Sequence, residues 1–169
     1  KNINIKNSNF ISNEIFDDTI RVVYSNKINF NNIEIQNANA DAIDIDISNN
    51  IYLKDVKIYD SGNDGLDFME SIAEVQNLKV NNSGDKGISV GEKSNVIIRN
   101  SNIINNKIGV AAKDNSIVKI YNTKFNNNFF QLAGYAKNWR YDGGGYIDIY
   151  NSKFTSNKNR FSVLNDPDV

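Results

Sequence analysis

The sequence predicts an all-β solenoid in which about 22 residues build one coil of three short strands. Two observations carry this. An apolar-x-apolar-x-Asn-x-x-apolar pattern recurs seven times along the 169 residues, beginning at Ile3, Ile28, Ile51, Ala73, Val96, Val118 and Ile147. Its corner position (Asn7, Asn32, Asp55, Asn77, Asn100, Asn122, Asn151) steps by 25, 23, 22, 23, 22 and 29 residues. The chain holds 32 Asn and 24 Ile but only three Thr and five Leu. Because the Asn sit at fixed offsets from apolar residues, the bias marks a repeat rather than a disordered tract.

Each element of the repeat has a physical reason. Two-residue alternation, as in Ile97-Ile98-Arg99 flanked by Val96 and Asn100, makes a strand with one face inward. A period near 22 is too short for a helical crossover, so each strand pairs with its copy in the next coil, about 4.8 Å away. The corner Asn tolerates a bent backbone, and a column of them would form a ladder of side-chain amides. The closing apolar residue (Phe10, Ile35, Ile58, Val80, Ile103, Phe125, Phe154) starts the next strand. Leucine-rich repeats have a similar period but need Leu-dominated spacing, which is missing.

Composition excludes several chemistries. There is no Cys and no His, which removes disulfides, thiol chemistry, Ser-His-Asp catalysis and most zinc sites. A net charge of −1 argues against nucleic acid, which demands a basic surface. No run approaches the ~20 apolar residues of a membrane span, and no signal-peptide pattern opens the chain.

Over essentially its whole length the chain resembles the right-handed, single-stranded parallel β-helix family, the pectin-lyase-like fold. The resemblance implies one three-sheet domain over residues 1–169, with about seven coils of 22–25 residues. It assigns the Asn corner to the turn after the second strand, and the rest of each coil to the first strand. In register these first strands are Asp18-Thr19-Ile20-Arg21-Val22, Asp41-Ala42-Ile43-Asp44-Ile45, Asp64-Gly65-Leu66-Asp67-Phe68, Lys86-Gly87-Ile88-Ser89-Val90 and Ile108-Gly109-Val110-Ala111-Ala112. Arg21, Asp44, Asp67, Ser89 and Ala111 alternate with inward apolar residues and should point outward. In this family that face often lines the substrate cleft.

Several carboxylates thus converge on one face. Two carboxylates about 5 Å apart repel by roughly 3 kcal/mol at an effective dielectric near 20. Such pairs raise a pKa, hold a cation, or bond to Lys86 or Arg21. Three readings follow: the paired carboxyls of glycoside hydrolysis, a calcium ion on Asp41, Asp44, Asp64 and Asp67, or a solvated face that blunts edge pairing.

Asn39-Ala40-Asp41-Ala42-Ile43-Asp44 resembles the Asn-Thr-Asp-Gly-Ile-Asp segment of polygalacturonase-like glycosidases, and Gly62-Asn63-Asp64-Gly65 their Gly-Asp-Asp-Cys one coil later. Gly84-Asp85-Lys86-Gly87 falls where they have Gly-His-Gly. That resemblance matches Asp41 and Asp64 to family carboxylates; on the acidic face as a whole they are the expected acid–base or cation-binding pair, with Lys86 as a catalytic or substrate-gripping cation and Asp44, Asp67 and Asp85 as substrate contacts. Asn63 replaces one catalytic Asp, Lys86 replaces the His, and no Arg-x-Lys follows. The Asp41–Asp46, Gly62–Asp67, Gly84–Glu92 and Gly109–Asp114 strings also look like β-helix repeats of large bacterial surface proteins, which implies an accessory module.

The long last step places an insertion at 135–146, with Trp139 and Tyr141 beside three successive Gly. Aromatic faces stack on sugar rings, so both are candidate substrate contacts; otherwise the loop covers a lateral face. Three successive Gly suit a tight reversal. Lys1 falls inside a strand pattern, and the tail starts another coil at Phe161 before Asn165-Asp166-Pro167. The expectation is a segment of a larger parent chain, lacking both caps. The whole reading is therefore an extracellular or cell-surface module that recognises or processes polysaccharide through an acidic first face, the alternative being a non-catalytic spacer.

Overall fold

The computed structural model describes residues 1–12, 17–155 and 161–164. All strand pairs among them are parallel, and none of these residues is helical. The first face stacks Ile20–Val23, Ile43–Asp46, Leu66–Met69, Lys86–Gly91, Ile108–Lys113, Phe130–Tyr135 and Phe161–Leu164 in one seven-stranded sheet. The second and third faces belong to one folded sheet of eleven strands. In its first three coils the strand is continuous (Asn2–Ile11, Lys27–Gln36, Ile51–Tyr59). From the fourth it splits at the corner, as in Ile72–Gln76 followed by Lys79–Asn81. The expected third sheet is therefore the far half of the second, joined to it through the early coils. Seven copies of the second-face strand define about six complete turns.

The pairing register reproduces the repeat: Ile28 sits on Ile51, Ala73 on Val96, and Val118 on Ile147. Inward Ile, Val, Leu and Phe stack into one core that runs from Ile3 and Ile5 to Phe154, with Phe125 and Phe154 stacked at 4.9 Å.

Corner chemistry explains the Asn column. Asn7, Asn32, Asp55, Asn77, Asn100, Asn122 and Asn151 all take positive φ, between 48° and 55°. Asn and Asp accept this left-handed backbone more readily than other side chains do. Asn32 donates its side-chain amide to Asn7, and Asn77 donates to Asp55, each at 2.9 Å. A second left-handed column, Asn37, Asp60, Asn82, Asn105 and Asn127, forms the corner between the third and first faces.

Buried hydroxyls link the coils as well. The Ser25, Ser48 and Ser71 N–H groups donate to Ser48, Ser71 and Ser94 Oγ at 3.0, 3.1 and 2.9 Å. At the next corner Leu78 N–H donates to Ser101, and Ser101 N–H to Thr123. Each bond satisfies a backbone donor that the bend removes from the sheet.

Candidate functional site

The first strands bring the predicted carboxylates together, but not on an open face. Asp41 and Asp64 are 8% and 2% exposed, and Asp44 is 7% exposed. Ser89 and Ala111 are fully buried, although both lie on the side of the sheet away from the core. Asp44, Ser89 and Ala111 of the outward row are thus covered, where alternation alone implied a solvated face, whereas Arg21 is exposed and Asp67 half-buried. Ala111 joins Ile108, Ala133 and Tyr135 in a second small apolar cluster there.

Asp41 and Asp64 do the job that serines do at the other corners. Asp41 N–H donates to Asp18 Oδ1 at 3.2 Å, Asp64 N–H to Asp41 Oδ1 at 2.7 Å, and Lys86 N–H to Asp64 Oδ1 at 2.8 Å. The Asn63 amide adds a donor to Asp41 at 2.8 Å. Lys86 is buried, pairs with Asp85, and lies 3.6 Å from Asp64. Lys107 approaches Asp85 from outside at 3.8 Å. One column over, Arg21 grips Asp44 and Asp46 at 3.2 Å each, and Lys113 reaches Asp67 at 3.9 Å from two coils away.

Burial dominates the titration of this cluster. It pushes the Asp44 carboxyl up to about 7, helped by Asp46 and Asp67 and opposed by Arg21. Asp64 rises to about 6 by burial against the pull of Lys86, and Asp41 also rises by burial. Burial pulls the Lys86 ammonium down, but Asp64 and Asp85 outweigh it and its pKa rises. Burial also lifts the Tyr135 phenol to about 12.

These shifts fix a pH dependence. Folded carboxyls that titrate above their ordinary 3.8 hold a proton more tightly than the unfolded chain does. Their stabilising contribution is full below about pH 4 and is lost as pH rises through about 6 to 7. The expected result is a higher Tm at pH 5 than at pH 8, with Asp44→Asn removing much of the difference. Thermal melts of both proteins across that window check it.

Among the described residues, no group of three or more acidic side chains converges in metal-ligand geometry. The four Asp expected to hold calcium are instead spent on backbone N–H groups, Arg21, Lys86 and Lys113. The calcium expectation gains no support from this arrangement.

Two open grooves flank the first face. One, of about 650 Å³, runs along the corner from the third face and is lined by Asn37, Asn39, Asp60, Ser61, Gly62, Asn82 and Gly84, with Ser12 and Ala38. The other, of about 380 Å³, lies at the corner to the second face between Glu70, Glu92, Lys93 and Tyr141. The insertion reaches it because Asp114 Oδ1 accepts the Lys137 and Asn138 N–H groups, at 2.7 and 2.8 Å. Tyr141 then donates to Glu70 at 2.7 Å, while Trp139 stays 85% exposed with Arg140 against its ring. Sequence reasoning missed Glu70, Glu92 and Asp114. Their spacing of 22 residues was the available signal.

A parallel solenoid with three strands per turn and left-handed Asn corners defines the β-helix class. The sequence matches the right handed beta helix region family over residues 1–166, and the chain belongs to that family. No curated protein matches the sequence. Among solved structures the chain is similar to the A-module of the Azotobacter vinelandii mannuronan C-5 epimerase AlgE4. The TM-score is 0.55 at 12% identity, covering 97% of this chain and 58% of that one, and the likeness is one of fold.

Proposed function

We propose that this β-helix is an extracellular or cell-surface module that binds an extended, uncharged polysaccharide along the larger groove without cleaving it. The observation that carries this reading is the lining itself. Asn37, Asn39, Asn82 and Asp60 line an open channel together with Gly62 and Gly84, and the Asn82 amide donates to Asp60 Oδ1 at 2.6 Å. Amides and carboxylates exchange hydrogen bonds with sugar hydroxyls. Among the described residues no Lys or Arg lines the channel, so a polyuronate would find no counter-charge among them. The fold likeness to a module named for a reaction of mannuronan lends the carbohydrate reading support.

Asp41, Asp64 and Lys86 fit a holding role better than hydrolysis. Their oxygens and ammonium are buried and already bonded to neighbouring coils. The same bonds would serve a non-catalytic spacer, which is the second reading. Affinity electrophoresis against neutral and acidic polysaccharides separates the two. Binding of a neutral glycan should weaken about tenfold, or 1.4 kcal/mol, in the Asn39→Ala/Asp60→Asn variant. A spacer would show no retardation by any glycan.

A further inference from the structure

We propose that the third face carries a docking surface for a linear phosphodiester polymer of polyol or sugar units, held by a single file of lysines. It does not rest on the neutral-glycan reading, and none of its contacts lines the larger groove. Parallel pairing puts Lys57 on Lys79, Lys79 on Asn102, Asn102 on Lys124 and Lys124 on Lys153. At one strand spacing per coil, the three steps from Lys79 to Lys153 cover about 14 Å. Glu34 holds Lys57 at 3.5 Å, but among the described residues Lys79, Lys124 and Lys153 have no acidic group within 4 Å. None of the 20 acidic residues of the chain falls in 77–82, 100–105, 122–127 or 151–155, which form this face and its corners from the fourth coil onward. A net charge of −1 therefore conceals a basic stripe, set apart from the carboxylates of the first face. Like charges opposite one another on paired strands destabilise a sheet, and a bound polyanion removes that repulsion.

Three features select this chemistry. The file is one charge wide, with the corner Asn column on one side and Asn81, Ile104, Asn126 and Thr155 on the other. That shape fits a single polymer chain, whereas an anionic membrane engages a broad basic field with apolar anchors. The cations are all Lys. A planar carboxylate is best gripped by the fork of Arg, while the point charge of an ammonium serves a phosphate. Among the described outward positions of this face the one aromatic side chain, Tyr59, lies under Lys79 at 5.1 Å. The bases of a nucleic acid would find no open ring to stack on, so the polymer's units are non-aromatic. Asn102 within the file and Asn126 beside it offer amides to hydroxyl and ester oxygens.

The test titrates the full chain with poly(glycerol phosphate), polygalacturonate and a single-stranded thymidylate oligomer at matched charge, read by calorimetry. Poly(glycerol phosphate) should bind at least about tenfold tighter than polygalacturonate, and the thymidylate oligomer should gain nothing further from its bases. Raising salt from about 50 to about 200 mM should weaken binding about twentyfold, the response of roughly three phosphate contacts. Lys79→Gln/Lys124→Gln/Lys153→Gln should lose at least about tenfold in affinity and most of that salt response. Lys6→Gln/Lys27→Gln/Lys119→Gln, the same charge change on the second face, should bind as the original does. Asn39→Ala in the larger groove should also leave binding unchanged, so the two surfaces fail separately. Equal binding of polygalacturonate, tighter binding of the thymidylate oligomer, no binding of poly(glycerol phosphate), an unaffected third-face variant, or an equal loss in the second-face variant would overturn the proposal.

Discussion

Gly62→Ala should destabilise the chain by about 3 kcal/mol, a fall of about 10 °C in Tm for a protein of this size. A Cβ at Gly62 would stand 3.0 Å from the Asn39 carbonyl carbon and closer still to its oxygen. At Gly84 it would stand 2.9 Å from the carbonyl carbon of Gly62. These contacts are with backbone, which cannot swing aside as a side chain can. Relief requires the coils to separate, and that separation breaks the 2.9 Å bond from Gly62 N–H to Ala38 O. Urea denaturation of Gly62→Ala, with Gly134→Ala as a comparison whose nearest neighbour is 3.3 Å away, checks the effect. Similar losses for both variants would mean that the corner is not the tight point.

The second large effect is at Asp64. Asp64→Ala removes the acceptor for the buried Lys86 N–H and leaves the Lys86 ammonium one carboxylate short. Breaking a buried ion pair from one side costs about 3 kcal/mol, part of it the stranded charge. Asp64→Asn keeps an oxygen for the Lys86 N–H and should cost clearly less. A double variant, Asp64→Ala with Lys86→Met, should recover part of the loss by removing the stranded ammonium. Chemical denaturation of the three variants reads all of this. An Asp64→Ala protein as stable as the original would show that the carboxylate does not hold the coils together.

The repeat was legible because its physics is local. Alternation names the inward residues, and only Asn or Asp suits the first two corners, so their spacing survives in the sequence. The corner after the first face keeps the spacing but not the Asn or Asp identity. It places Tyr24, Ile47, Glu70 and Glu92 at positive φ, residues that composition never marks as turn formers. The glycines also misled. Among the described residues none takes positive φ, so Gly143–Gly145 serve close approach rather than reversal. A Cβ on Gly145 would lie 2.5 Å from that of Ala112.

Burial of the carboxylates was the other illegible feature. Alternation tells which side of a strand Asp44 and Ser89 face, but not whether that side is covered. Stacked Asp at a 23-residue step reads equally as a catalytic pair, a cation site or a link between coils. The N–H groups of Asp64 and Lys86 aimed at the preceding carboxylates favour the link. In the sequence Trp139 and Tyr141 stand two residues apart as candidate sugar contacts. In the structure Tyr141 turns back onto Glu70 while Trp139 projects away. The tail at Asn165-Asp166-Pro167 lies outside the described residues, while Phe161–Leu164 pairs with Leu132–Tyr135 as the start of another coil.

The most direct measurement incubates the original protein and Asp64→Asn with the neutral polysaccharide that retards the protein most, and follows bound fraction and new reducing ends together. The expected result is binding by both proteins with no reducing ends above background. New reducing ends from the original protein that vanish in Asp64→Asn would contradict the account, because they would make the buried Asp column a catalytic centre rather than a link between coils.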